Sequence, residues 1–174
     1  MSSILKELID TIPVNVERLI KSHGILLNKN AIRDEIGKGI NRPSGAGELI
    51  GEIRKDGDEY KILILGSDHY YRKRFTMAHE LGHFVLHKDK IDRCGSISDS
   101  EEYDGITKEE ETEANAFAAE TLMPEDKVRE IFAETMRNKN QDESKTVEEM
   151  SRMFQVSGKA MQLRLYLLEL IPNY

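Results

Sequence analysis

From Arg72 to His87 the chain has no proline, and Phe75, Ala78, Leu81 and Val85 recur at helical intervals. The spacing predicts a helix over these residues. Within it lies His79-Glu80-Leu81-Gly82-His83, an H-E-x-x-H motif. Residues four apart on a helix share a face one turn apart, so both imidazoles can reach one ion while Glu80 points to its edge. An ion held by neutral imidazoles lowers the pKa of water towards about 7, and a neighbouring carboxylate can take the proton as that water attacks a peptide carbonyl. The bland alternative is a helix with two chance histidines. Three of the five histidines fall between His79 and His87, however, and an apolar helix has little structural use for so many polar rings. Zinc, one ion per chain, is the expected cofactor.

Two imidazoles do not complete a catalytic site. His87 continues the i, i+4, i+8 array, but a catalytic zinc usually takes its third ligand from another element, so His87 is expected to contact a ligand, or to be a packed histidine, rather than be a ligand itself. The metzincin pattern requires Gly and then His where Leu86 and Asp89 stand, which excludes that subclass. A downstream glutamate is the other arrangement, and Glu109-Glu110-Glu111-Thr112-Glu113-Ala114-Asn115 supplies four. Glu111 shares a helix face with Ala114, Asn115, Ala118 and Leu122, a small and apolar stripe able to approach the metal helix. On that face Asn115 can orient the outer nitrogen of a histidine ligand. Glu113 heads a different face with Ala116, Phe117 and Glu120 and is the second choice. Glu109 and Glu110 read as solvated residues of an acidic first turn.

The rest of the chain predicts an α+β fold, predominantly helical, with a small β-sheet packed against the H-E-x-x-H helix. Two short helices open it, around Ile4 to Ile9 and Val16 to Ile20, the second closed by His23-Gly24. A strand starts at Ile25-Leu26-Leu27, and Asn28 to Gly47 reads as a loop in which Ala31 to Ile36 can form one or two helical turns. Glu48 to Arg54 and Tyr60 to Leu65 flank Lys55-Asp56-Gly57-Asp58, the pattern of a hairpin. Both faces of Ile62-Leu63-Ile64-Leu65 are apolar, as in a covered strand inside a sheet. Ser96 to Lys108 reads as a polar connection. Helices follow over Lys108 to Leu122, from Pro124 to about Arg137, over Thr146 to Phe154 and over Lys159 to Leu170.

Composition narrows the function classes. Lys and Arg are outnumbered 25 to 32 by Asp and Glu, giving a net charge of −7, the opposite of the basic footprint that general nucleic-acid binding requires. No direct nucleic-acid binding is expected. The single Cys94 cannot form an internal disulfide, and MSSILKELID lacks the basic and apolar regions of a signal peptide, so the expected location is cytoplasmic. No apolar run approaches the roughly 20 residues that span a bilayer, and no membrane role is expected.

Arg74-Phe75-Thr76-Met77-Ala78-His79-Glu80-Leu81-Gly82-His83, with Leu86-His87, Glu111-x-x-Ala114-Asn115-x-Phe117-Ala118 and Leu122-Met123-Pro124, resembles the ImmA/IrrE family of metallopeptidases. The resemblance is densest from about Tyr60 to Pro124. It implies a zincin-like domain with a gluzincin-type site, the metal held by His79, His83 and Glu111, and Glu80 as catalytic base. It also implies an intracellular endopeptidase that cleaves a cognate helix-turn-helix repressor of a phage, mobile element or stress response. The alternative is a zinc-bearing regulator or toxin that binds such a repressor or antitoxin without cutting it. The chain departs from the family at Ile64-Leu65-Gly66-Ser67, where many relatives carry Asn, and at Asp92 to Asp104, which reads as a loop of its own. Tyr103, Tyr70, Tyr71 and His69 are the candidates for a transition-state donor. On this reading residues 1–137 form the peptidase domain and 138–174 a helical subdomain. The latter resembles a helix-turn-helix, but Gly158, Lys159, Gln162 and Arg164 offer little charge for a recognition helix, which favours a packed helical hairpin.

Overall fold

The computed structural model describes residues 11–36, 50–94, 96–98, 106–137 and 142–172. The chain forms two compact units, Val16–Ala118 and the combination of Met1–Asn15 with Ala119–Tyr174. The expected opening helix around Ile4 to Ile9 lies outside the described residues.

The first unit begins with α1 (Val16–Ser22), which buries Val16, Leu19 and Ile20. Gly24 ends it at φ +73° while its N–H bonds the Lys21 carbonyl at 3.0 Å, a left-handed closure that glycine adopts without a Cβ penalty. Strand β1 (Leu26–Ala31) follows, then β2 (Gly51–Asp56) and β3 (Glu59–Leu65). The last two form the expected hairpin: Asp56 pairs with Glu59 across Gly57-Asp58, and Gly57 has φ +64°. With the short strand β4 (Ser96–Ser98), the described residues form a four-stranded sheet of order β1-β3-β2-β4, with β1 parallel to β3 and the other pairs antiparallel.

Strand β3 is thus interior, and Ile62, Leu63, Ile64 and Leu65 are all buried. Its alternation serves two layers. Ile64 pairs with Gly51 and Ile62 with Ile53 on the face beneath α2 (Tyr70–Leu86), which packs on both β2 and β3. Leu63 and Leu65 join Ala31, Ile36 and Ile50 in a cluster on the other face. Each such side chain contributes about 1.5–3 kcal/mol on burial, so the seating of α2 on the sheet is strongly fixed.

Three local expectations change. The loop expected from Asn28 is still strand as far as Ala31, which pairs with Leu65 after an irregularity, and residues 33–36 form turns rather than helix. A helix α3 (Lys88–Cys94) was not expected; it buries Ile91 completely, one apolar residue in a polar stretch too short to show a period. It and β4 cover 92–94 and 96–98 of the stretch Asp92 to Asp104 that reads as a loop, and the rest of that stretch lies outside the described residues. Helix α4 (Lys108–Leu122) has its expected bounds.

In the second unit lie α5 (Glu125–Arg137), α6 (Glu143–Phe154) and α7 (Gly158–Leu167). Asp142 and Ser157 cap the last two helices through the Lys145 and Ala160 N–H groups, and Gln155 turns the chain at φ +55°. Met150, Phe154, Val156, Met161 and Leu165 form the buried side of this hairpin. Helix α7 stops at Leu167, three residues before the expected end, where Glu169 adopts φ +57°.

Candidate metal centre

Helix α2 starts at an N-cap formed by His69 and runs unbroken through the motif, because nothing between Tyr70 and Leu86 removes a backbone donor. Its middle, from Thr76 to His83, is buried throughout, including His79, Glu80 and His83. Glu80 is wholly buried against the start of β2. A Cβ built on Gly51 would lie 2.3 Å from Thr76 Cγ2 and 2.9 Å from Glu80 Oε1, so only glycine lets the strand pass here. Periodicity gives no hint of this constraint, since Gly51 stands among hairpin residues where glycine is ordinary.

Helix α4 brings the third group. Thr107 and Glu110 form a reciprocal capping box: Glu110 N–H donates to Thr107 Oγ1 at 3.3 Å and Thr107 N–H donates to Glu110 Oε2 at 2.8 Å. Burial raises the Glu110 carboxyl, but Lys90 and Thr107 outweigh it and bring it down to about 2. Glu110 is therefore not the solvated residue expected; the T-x-x-E signature was present in the sequence. Further along, Gly82 of α2 meets α4 so closely that a Cβ there would lie 3.1 Å from Phe117 Cδ1 and 3.2 Å from the Ala114 carbonyl oxygen. The small stripe of Ala114 and Ala118 makes that approach possible, and both are fully buried.

The result is a convergence of His79, His83 and Glu111, whose ligand atoms all lie within 4.8 Å of one another. His79 Nε2 is 3.0 Å from His83 Nε2, Glu111 Oε2 is 3.4 Å from His79 Nε2, and Glu111 Oε1 is 3.2 Å from His83 Nε2. A tetrahedral ion with Zn–N and Zn–O bonds near 2.0–2.1 Å has edges of roughly 3.3 Å, which these separations bracket. Glu113, the second choice in sequence, lies outside the cluster, with Oε2 3.0 Å from His87 Nε2.

The protonation pattern fits a cation as well. His79 Nδ1 lies 3.1 Å from Asn115 Oδ1, an acceptor, so the proton of a neutral His79 is on Nδ1 and Nε2 presents a lone pair inward. Burial, and then the neighbouring His83, push the His79 imidazole down to about 4, so the neutral ring prevails at ordinary pH. Burial raises the Glu111 carboxyl, yet the close approach of His83 and then of His79 holds it below its usual value. Glu111 Oε1 is buried and makes no hydrogen bond. Inward lone pairs and a carboxylate oxygen without a donor suit a single zinc ion, and the three residues match a His-His-Glu site.

Two of the donor candidates, Tyr70 and Tyr71, stand at the first turn of α2, roughly 12–14 Å along the helix axis from His79. The ring of His69 accepts from the Tyr71 N–H, and Tyr103 lies outside the described residues.

A zinc-site helix bearing H-E-x-x-H on a small mixed sheet, with a glutamate from a second helix, defines the HExxH metallopeptidase class. The IrrE N-terminal-like domain model, Peptidase_M78, matches residues 21–166, and the chain belongs to that family. It is also 38% identical over 77 residues to the radiation response metalloprotease IrrE of Deinococcus radiodurans, a match covering 44% of this chain and 23% of that protein. The chain therefore spans less than a quarter of that relative's length.

Proposed function

We propose that this chain is a zinc-dependent endopeptidase in which His79, His83 and Glu111 hold the metal and Glu80 is the general base. The observation that carries the reading is Glu80 itself, a wholly buried carboxylate on the same helix as both histidines, held beside a glycine that leaves it room. When bound, zinc supplies Lewis-acid polarisation of a peptide carbonyl and makes water acidic enough to deprotonate near neutrality. Glu80 takes the proton as water attacks and passes it to the leaving amine. Asn115 and His87 orient the two imidazoles from outside, so that the ligand nitrogens keep their lone pairs inward. A regulator that only binds has no use for a buried base here, which favours cleavage over the binding-only regulator or toxin.

The substrate in this reading is a small helix-turn-helix repressor, cut in an exposed segment in the cytoplasm. Support comes from the family, from a relative that is a radiation response metalloprotease, and from a net charge of −7 that attracts a basic DNA-binding protein. An extended segment can pair with a sheet edge, and among the described residues the outer strands of the sheet are β1 and β4. The α6–α7 hairpin is read as a packing or contact element rather than a DNA reader. Arg164, one of its few cations, is committed to Glu120 and donates through Nε to the Met123 carbonyl at 3.1 Å. Among the described residues, no helix is long and apolar enough to cross a membrane.

The test combines the purified chain with the repressor encoded beside it, with and without chelator, and searches for discrete fragments by mass spectrometry. Zinc-dependent cleavage that disappears in Glu80→Gln is the expected result. A stable complex with no cleavage, together with full function of Glu80→Gln in cells, would reject the peptidase in favour of the binding-only regulator.

A further inference from the structure

Glu113 is not part of the metal cluster, and its side chain is 62% exposed, yet it contacts a histidine whose side chain is only 6% exposed. We infer that Glu113 acts through His87 to fix the tautomer of His83, and so sets the affinity of the centre for zinc from the protein surface. The inference rests on His79, His83 and Glu111 being the zinc ligands.

The chain of hydrogen bonds has one consistent direction. Glu113 Oε2 lies 3.0 Å from His87 Nε2, and a carboxylate can only accept, so His87 Nε2 carries a proton and donates it. His87 Nδ1 lies 3.2 Å from His83 Nδ1. One of these two nitrogens must donate and the other accept. A neutral His87 has spent its single proton on Glu113, so its Nδ1 accepts and His83 Nδ1 donates. That leaves His83 Nε2 bare and turned towards His79 and Glu111, the only tautomer in which a neutral ring can bind a metal through this atom.

Without the carboxylate the direction is undetermined. His87 could then carry its proton on Nδ1 and donate to His83, which would place the His83 proton on Nε2, facing the metal position. The two ligands are thus oriented unequally: His79 by the neutral amide of Asn115, and His83 by a carboxylate acting through a second ring. A carboxylate behind an imidazole also raises its basicity, and loss of such partners typically costs about 10- to 100-fold in metal affinity. Because Glu113 projects into solvent, removing it leaves no large void in the core, which separates this role from packing.

The experiment uses the full chain as wild type, Glu113→Ala, Glu113→Gln, His87→Ala and the Glu113→Ala/His87→Ala double variant. Zinc affinity is measured by competition with a chromophoric chelator, and the ring ¹⁵N shifts of His83 are read in the zinc-free protein. In Glu113→Ala, affinity should fall about 10- to 100-fold, one zinc should still bind at saturation, and His83 should change from Nδ1–H alone to a mixture of tautomers. Glu113→Gln should recover much of the loss, since its amide oxygen still accepts from His87. The double variant should lose no more affinity than His87→Ala, as members of one relay are not additive. Wild-type His83 carrying its proton on Nε2, or an unchanged tautomer and affinity in Glu113→Ala, would overturn the relay. A Glu113→Ala protein that binds no zinc at saturation, beside a Glu111→Ala protein that still binds one, would instead overturn the ligand assignment on which the relay rests.

Discussion

At the scale of single residues, the site depends as much on what is missing as on what is present. Glu80 carries the proposed chemistry, and Glu80→Gln keeps the size of the side chain while removing its basic oxygen. Turnover should fall by roughly two to four orders of magnitude with zinc content and fold unchanged, as measured by peptide cleavage beside elemental analysis. Gly51 carries no chemistry, but the space above it holds Thr76 and Glu80. Gly51→Ala would place a methyl 2.3 Å from Thr76 Cγ2, well inside contact distance. Forced overpacking of this kind costs about 1–3 kcal/mol, so urea unfolding should show a clear loss of stability, with peptidase activity reduced because Glu80 is displaced. An unchanged midpoint would mean that β2 yields more readily than its pairing with β3 implies.

Between elements, the critical contact is α2 against α4 at Gly82. Gly82→Ala gains up to about 1 kcal/mol of helix propensity but presses a methyl on the Ala114 backbone and the Phe117 ring. Backbone cannot swing aside as a long side chain can, so α4 should shift and carry Glu111 from its place. The expected outcome is a zinc-free melting temperature near wild type with zinc affinity reduced at least several-fold, measured by chelator competition. Helix α3 is fastened differently. Asp92 accepts from the Tyr60 hydroxyl of β3 and from Lys55 of β2 at 3.0 Å, and pairs with Lys88 on its own helix at 3.2 Å. Tyr60 above all, then Lys55 and Lys88, hold the Asp92 carboxyl well below the usual carboxylate range. A carboxyl depressed on folding stabilises above its unfolded pKa, near 3.9, and that stabilisation is lost as pH falls towards the folded value. Asp92→Asn should therefore be less stable than wild type at pH 7, and the difference should narrow as denaturation is repeated below about pH 4. A difference independent of pH would show that the ionised carboxylate contributes nothing.

For the whole molecule, metal and fold are linked. Zinc binds a site assembled from α2 and α4, so it stabilises the folded state by about 2.7 kcal/mol at a free concentration one hundred times its dissociation constant. In a chain of this size that corresponds to a rise of about 5–10 °C in melting temperature, reversed by chelator. Glu111→Ala should abolish the rise, and persistence of the full shift in that variant would place the ion elsewhere. Charge acts at the same scale. If the proposed substrate is a basic repressor, its association should be fast at low salt and slow as ionic strength increases, because a net charge of −7 is screened over about 8–10 Å. Stopped-flow rates that do not vary with salt would remove electrostatic attraction from the account of recognition.

Much of this centre was legible in one dimension because its information is local. His79, Glu80 and His83 lie within one and a half turns of α2, so helical periodicity alone brings them together, and the Gly57 hairpin and the stop before Pro124 are equally local. The preference for Glu111 over Glu113 followed from the small residues on its helix face, which the close approach at Gly82 reproduces. The rest depended on contacts between segments far apart in sequence. Helix α3 and strand β4 are too short to show a period and owe their form to burial of Ile91 and pairing with β2. Gly51 matters only because α2 passes over it. Glu113 reaches His87 across 26 residues, a contact no spacing rule predicts. The sequence by itself determined that His79 and His83 face one ion with Glu80 beside them, since that is a property of a single helix; tertiary packing decided which carboxylate completes the set and which directs the protons, since both depend on how closely two helices approach.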